Sequence, residues 1–582
     1  MEKIYNANLE YLKNMDMGVY DTVTNLTNRN TYIEVSQNGD KNIVKKHNGV
    51  KYHIYSEINP NEMADAVCDN AFSEESDIIF IFGIGLCYEL KKILERDDKK
   101  TYIIIEPDEE IFKVMLENVD IGFMINSSAD IAFYLGKDLK QIMYIFETII
   151  NKLKSLKIKF VISPAYKVIY CRLYEKIIEG LRLKFNRYVV NINSINEHDK
   201  VWYKNFVRNL RYIKETVPVK ALEGAFKNVP AIICAAGPSI SYDMETLKKM
   251  KRNALIVSAG TGITVLEANG IKADIAGAMD GDISEAVLFQ NLDVNKDVNL
   301  FYSFQVNEHV LEYTKHNKFL MNQTNMDLYV NNNLNWDAYG QFSGSSIANV
   351  MAENLARLGC NPIIFLGQDL CYSRNKSYAE GATYHSEISK NEFETSGEYI
   401  KIKNKNEEDV YTKPQFVSMR DVMEAVIAFN KDTEFFNASK DGLKLKGAKD
   451  IDFNEFYKKN LYKYEEIDFY NVIKDLHKEY NCENINIGVI DDFLNEFNSS
   501  LKKIYLISEN VIKTIKSNYN DDVKKKIIAD LENKIEEIGF YRNVLKFSVE
   551  NIEFLTPKSY FDRKLNVYLY VLDKCCIMLN NI

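Results

Sequence analysis

Ala231-Ile232-Ile233-Cys234-Ala235-Ala236-Gly237-Pro238-Ser239-Ile240-Ser241-Tyr242 is the stretch on which the reading of the fold turns. Four apolar residues without alternation predict a strand buried on both faces, and Gly-Pro directly after it predicts a tight turn into a helix beginning near Tyr242. A strand-to-helix turn of this kind places backbone N–H groups and a partial positive charge where an oxyanion can approach, with Ser239 or Ser241 as cap or ligand. A plain structural turn before a capped helix is the competing reading of the same residues.

Downstream the unit repeats. Ala254-Leu255-Ile256-Val257-Ser258, Asp274-Ile275-Ala276-Gly277-Ala278-Met279, Leu300-Phe301-Tyr302-Ser303-Phe304 and Pro362-Ile363-Ile364-Phe365-Leu366 all read as buried strands, alternating with helical patterns. Such alternation predicts a parallel sheet with helices on both faces. The strands end in Ala259-Gly260-Thr261-Gly262, Asp280-Gly281-Asp282 and Gly367-Gln368-Asp369-Leu370, and ligands of doubly wound sheets bind at such carboxyl ends. Phe342-Ser343-Gly344-Ser345-Ser346 opens a further helix over 347–358 and supplies Ser345 and Ser346 at a second helix N-terminus. Two helix ends facing one cleft suit a ligand carrying phosphate and carboxylate.

Upstream, Ile78-Ile79-Phe80-Ile81-Phe82 and Tyr102-Ile103-Ile104-Ile105-Glu106 predict a smaller α/β domain. Gly83-Ile84-Gly85 with Glu106 is similar to the opening of a dinucleotide or S-adenosylmethionine fold, but the third glycine is missing, which favours a relic without cofactor. Beyond Tyr457 the chain has few Gly or Pro and helical periodicity, predicting a bundle. The expected organisation is an N-terminal α/β domain with a helical connection over 1–216, a central Rossmann-like domain over 217–456 and a C-terminal helical domain over 457–582.

Composition bounds the function. The 582 residues include 83 acidic and 73 basic side chains, net −10, which disfavours a general nucleic-acid binder. Apolar content of 46% with 9 Pro and 25 Gly is globular. No signal peptide or membrane span is read, so the expected compartment is the cytoplasm. The nine cysteines lack zinc-site spacing and lie mostly in apolar runs, where reduced Cys acts as a small hydrophobe.

Taken in order, Ala235-Ala236-Gly237-Pro238-Ser239, Ala259-Gly260-Thr261, Ile271-Lys272-Ala273-Asp274, Gly344-Ser345-Ser346-Ile347-Ala348 and the run from Leu358 through Gly367-Gln368-Asp369-Leu370 to Tyr372 resemble the motility associated factor (Maf) flagellin glycosyltransferases. Phe82-Gly83-Ile84-Gly85-Leu86 and Glu106-Pro107-Asp108 match that family's N-terminal region, so the likeness covers roughly 77–453 in pieces. The family's central domain is similar to bacterial sialyltransferases, a GT-A variant.

The resemblance implies transfer of a nonulosonic acid (pseudaminic, legionaminic or a related sugar) from its CMP-activated form to Ser or Thr of flagellin. It makes Gly237, Pro238, Ser239, Thr261, Asp369 and Tyr372 donor-site candidates, beside Ser345, Ser346 and Gln368 from the strand and helix ends. Two departures stand out: Ala236 replaces the Asn usual before Gly-Pro-Ser, and the expected His is absent from 410–420. For the general base this leaves His385, with Asp280, Asp282 and Asp369 as carboxylate alternatives. Arg374, Lys376 and Tyr378 are candidates to meet the donor's phosphate or carboxylate. No cofactor is required on this reading, although Asp280 and Asp282 have the spacing of a pair that holds a divalent ion. Pterin pyrophosphokinases share the Gly-Pro-Ser domain and give an alternative, as does a non-catalytic flagellin-binding protein.

Overall fold

In the computed structural model, which describes residues 2–26, 30–97, 99–153, 157–315, 317–340, 344, 346–555 and 559–582, the chain divides into two compact units, Met1–Ile192 and Asn193–Ile582.

The first unit is built on a four-stranded parallel sheet. Its strands are β1 (Ile78–Phe82), β2 (Thr101–Glu106), β3 (Asp130–Leu135) and β4 (Ile158–Ile162), in the order β3-β2-β1-β4. Every residue of β1 and β2 is buried, as the unbroken apolar runs require. A three-stranded antiparallel sheet (Thr31–Val35, Lys41–His47, Val50–His53) precedes them.

The crevice after β1, where a dinucleotide fold would hold its ligand, is filled by the protein itself. Gly83 has φ of +91°, and a Cβ there would lie 2.5 Å from the Tyr166 ring. The Tyr55 hydroxyl accepts from the Leu86 N–H at 2.8 Å and donates to Glu89 at 3.0 Å. Glu106, fully buried, accepts from Ile84 N–H (2.8 Å), Asp108 N–H (2.8 Å) and Tyr166 O–H (2.6 Å). Burial pushes its carboxyl up to about 8. The acid that would hold a ribose therefore has both oxygens committed to its own loop.

The second unit carries a nine-stranded sheet in which every pairing is parallel. In chain order its strands are β5 (Thr216–Pro218), β6 (Ala231–Cys234), β7 (Leu255–Ala259), β8 (Ile275–Ala278), β9 (Asn299–Tyr302), β10 (Lys318–Leu320), β11 (Ile363–Leu366), β12 (Phe435–Asn437) and β13 (Lys449–Asp450). Across the sheet they run β13-β12-β11-β6-β7-β8-β9-β10-β5. From β6 the chain winds outward through β7 to β10, then returns to place β11 on the other side of β6. The crevice between β6 and β11 is therefore the topological switch point.

Alternation along the strands separates two cores. Ile232, Cys234, Ala276, Leu300 and Leu366 face one side and Ala231, Ile233, Ile275, Phe301 and Phe365 the other, as a period of two demands. The helices Ile347–Arg357 and Pro414–Phe429 cover the second side, through residues such as Val350, Leu355, Met423 and Val426. On the first side lie Phe206 of the helix Cys171–Asn209 and the C-terminal helices Ile487–Lys516 and Tyr560–Leu579. Phe206 meets Phe497 edge-on at 5.7 Å and stacks on Phe540 at 6.2 Å. The predicted C-terminal helices form, and they share one core with this sheet. Among the described residues no helix is long and apolar enough to cross a membrane.

Tyr166→Phe should remove the hydroxyl that joins Glu106 to the Gly85 N–H (3.2 Å), leaving buried groups short of a partner. We expect a loss of about 2 kcal/mol, read from denaturant unfolding of the full chain.

Candidate functional site

The Gly237-Pro238-Ser239 turn stands at the switch point and is locked to the loop that follows β11. The Gly237 N–H donates to the Gly367 carbonyl at 2.9 Å. Gly is required here because a Cβ would penetrate that carbonyl oxygen and lie 2.7 Å from Cγ of Asp369. Asp369, 2% exposed, accepts from the Ser239 N–H at 2.9 Å, from the Ser239 hydroxyl, and from the Ser373 hydroxyl at 2.9 Å. Burial raises its carboxyl above the usual range, against the pull of those donors. Since Pro238 has no N–H and the Ile240 N–H goes to the Gly237 carbonyl (3.1 Å), each backbone donor of 237–240 is already engaged. Here the protein's own carboxylate takes the place expected for a ligand oxyanion.

Open donors lie one and two strands away. The helix α1 (Ile347–Arg357) begins at Ser346, whose side chain does not cap it; the first-turn N–H groups of a helix have no acceptor within the helix itself. Three strand ends converge on this helix start. A Cβ on Gly260, after β7, would lie 3.3 Å from Ile347, and one on Gly277 of β8 would lie 2.9 Å from it. Gln323, after β10, donates to the Gly344 carbonyl at 2.6 Å. The Oε1 of Gln323 and the Oδ1 of the neighbouring Asn322 are buried without a partner, and buried polar atoms of this kind call for a ligand or water. Thr261 is half-buried beside Gly260. Ser345 lies outside the described residues.

A third group gathers after β8. Asp280 is exposed and accepts the Asp282 N–H at 3.2 Å. The Gly281 carbonyl accepts from Asn205 (2.9 Å) and Asn307 (3.1 Å). Asp282 pairs with His198 at 3.4 Å. Glu285, half-buried in the helix α2 (Ile283–Gln290), is pushed up to about 8 by burial, with the Asp280 charge adding to the effect, so it is protonated at neutral pH. Among the described residues no group of three or more His, Cys, Asp or Glu side chains stands ready to hold a metal ion.

The remaining candidates lie on the crossing from β11. Gln368 is buried, its N–H donating to Ser439 at 2.8 Å. Tyr372 packs among Phe393, Tyr399 and Phe416 with ring centroids 5.2 to 5.8 Å apart. Leu370, Arg374 and Asn375 all have φ between +55° and +59°, a concentration of strain that non-glycine residues adopt only when the surroundings enforce it. Arg374 lies over the Tyr242 ring at 4.1 Å and pairs with Asp441 at 3.3 Å. The chain then passes the switch point, with Ala379 N–H on the Ala236 carbonyl (2.8 Å) and Tyr384 O–H on the Ser284 carbonyl (2.7 Å). His385, half-buried on this strap, has Nδ1 2.7 Å from the Tyr378 carbonyl. Lys376 pairs with Glu380.

Sequence reading missed His198, Glu285, Gln305, Asn322 and Gln323. The strand-end rule that singled out Asp280 and Gln368 would have found Gln305, Asn322 and Gln323, which follow β9 and β10. His198 carries no local signal.

The sequence model of the family described as MptE-like (6-hydroxymethylpterin diphosphokinase MptE-like) matches residues 204–375. No curated protein sequence matches the chain. Among solved structures, the MAf glycosyltransferase from Magnetospirillum magneticum AMB-1 is similar over 100% of this chain and 95% of its own, with a TM-score of 0.59 and 14% sequence identity. The likeness to the Maf glycosyltransferase fold therefore runs the full length and includes the C-terminal helices.

Asp369→Ala should strand the Ser239 and Ser373 donors in the interior and cost about 3 kcal/mol in denaturant unfolding. For Glu285 the sign follows from its raised carboxyl: its contribution to stability is full below about 4.5 and is lost as pH rises through about 8. Glu285→Gln should flatten that decline in a pH series of thermal unfolding.

Proposed function

We propose that the chain is a glycosyltransferase that moves a nonulosonic acid from its CMP-activated form to Ser or Thr hydroxyls of flagellin in the cytoplasm. The observation that carries this reading is the uncapped start of α1, set against the ends of β7, β8 and β10 beside the unpartnered oxygens of Asn322 and Gln323. An anionic donor needs N–H groups for its phosphate or carboxylate and acceptors for its hydroxyls, and this corner offers both. The full-length likeness to a Maf glycosyltransferase supports the reaction class. The motif resemblance to the Maf family supports the donor and acceptor.

On this reading Ser346 and Thr261 line the donor site. Gly237, Pro238, Ser239, Gln368 and Asp369 shape its floor as one hydrogen-bonded unit, and Tyr372 fixes the strap that closes over it. No metal ion is assigned a role.

The match of residues 204–375 to the MptE-like family favours a second reading, pyrophosphoryl transfer from ATP to a pterin. It covers the sheet up to the strap and leaves the first unit and the C-terminal helices without a role, which is why it ranks second.

Incubation of the purified protein with flagellin and a panel of CMP-nonulosonic acids should raise the intact mass of flagellin by whole sugar increments, with release of CMP. No gain with any donor would overturn the transferase reading. AMP formation from ATP and 6-hydroxymethylpterin in a parallel reaction would establish the second.

A further inference from the structure

Removal of the acceptor proton still lacks a residue, because Asp369 is consumed by Ser239 and Ser373 and Asp280 holds its own loop. We infer that His198 and Asp282 are the missing pair: His198 takes the proton through Nε2, and Asp282 faces the opposite ring nitrogen. This inference rests on the transferase reading above.

Nδ1 of His198 lies 3.4 Å from Oδ1 of Asp282, with the two side chains 36% and 42% exposed, so the imidazole is reachable and has a carboxylate beside one ring nitrogen. Asp282 occupies the N-cap position of α2 yet makes no capping bond from its side chain. A residue type that ordinarily satisfies its own helix instead turns its carboxylate to the histidine. A carboxylate beside Nδ1 favours the proton on that nitrogen and leaves Nε2 free to accept. His385 has only a neutral carbonyl on Nδ1.

The backbone beneath the pair is held from several directions. Trp202 stacks on His198 with centroids 5.9 Å apart and covers Gly281, where a Cβ would lie 2.5 Å from the indole. Asn205 anchors the Gly281 carbonyl. One residue beyond His198, the buried Asp199 accepts from Lys574 (2.7 Å) and Tyr570 (2.6 Å) of the C-terminal helix Tyr560–Leu579. The turn carrying His198 therefore cannot rotate without breaking a buried ion pair. The site connects to the donor corner through Gln305, whose side chain donates to the Met279 carbonyl at 3.2 Å, and through Gly277 of the same strand, which abuts Ile347.

In the step assigned to the pair, the acceptor oxygen bonds to the anomeric carbon as the bond from that carbon to the phosphate oxygen breaks. The bonding electrons leave with the nucleotide phosphate. The hydroxyl proton passes to Nε2 of His198 and then to solvent.

The test is the flagellin mass assay run with His198→Gly, His198→Gln and Asp282→Asn proteins. We expect both His198 variants to lose about 10²-fold or more in kcat, and Asp282→Asn about 10-fold, all with the donor KM unchanged. Added imidazole should restore part of the His198→Gly rate. Either His198 variant turning over at the wild-type rate overturns the inference and leaves the transferase reading intact. A fall in kcat accompanied by a raised donor KM and no rescue assigns His198 a structural role and also overturns it. Should His198→Gly fail to fold, His198→Gln and Asp282→Asn decide the matter by the kcat against KM criterion. A wild-type protein that transfers no sugar removes both readings together.

Discussion

The carboxylate of Asp369 is the constraint around which the centre of the second unit is arranged. It is a buried group with three donors from two separate segments, and it sits where the chain reverses its winding between β6 and β11. A carboxyl in that position is stable only if every lone pair pointing into the protein is met. Meeting them dictates Ser239 on one side and Ser373 on the other, with glycine at 237 so that the backbones can approach. Two further features then follow: the turn has no N–H left over, and Leu370 and Arg374 are forced to positive φ as the chain leaves the loop.

The same closure explains why anion-binding capacity is displaced from the switch point to its neighbours. A helix start attracts an anion only while its N–H groups lack an acceptor. At 237–240 they have one; at Ser346 the side chain supplies none. The sheet keeps the reversed winding of a doubly wound fold, but the unpartnered polar groups lie near the ends of β7, β8 and β10. In the first unit the same kind of closure has gone to completion, since Tyr55, Tyr166 and Glu106 fill the crevice after β1 and leave no comparable opening there.

What was legible in the sequence divides along physical lines. Ile232, Ile256, Ile275, Leu300 and Ile364 lie in runs whose burial on both faces requires unbroken apolar character, so the strands and the parallel sheet could be read directly. The C-terminal helices were legible by periodicity, but not that Phe497 and Phe540 would pack on Phe206 and join the core of the sheet. Ser239 and Asp369 were both singled out, each as a ligand contact. That they bind one another depends on a pairing across 130 residues, which no local pattern encodes. His198 was invisible for a related reason: it lies in the middle of a long helix, and only the fold brings it to Asp282.

Charge separates the two ends of the proposed site in a way that fits a single reaction. After β8 the carboxylates of Asp280 and Asp282 lie close in the chain, with Asp282 beside His198. Negative charge of that kind disfavours an anionic ligand there. At the start of α1 the cap residue Ser346 makes no side-chain bond to the helix, and the helix dipole favours negative charge. On the transferase reading, the start of α1 and the loop after β8 answer separate demands, charge acceptance and proton removal, which a single pocket of uniform sign could not satisfy together.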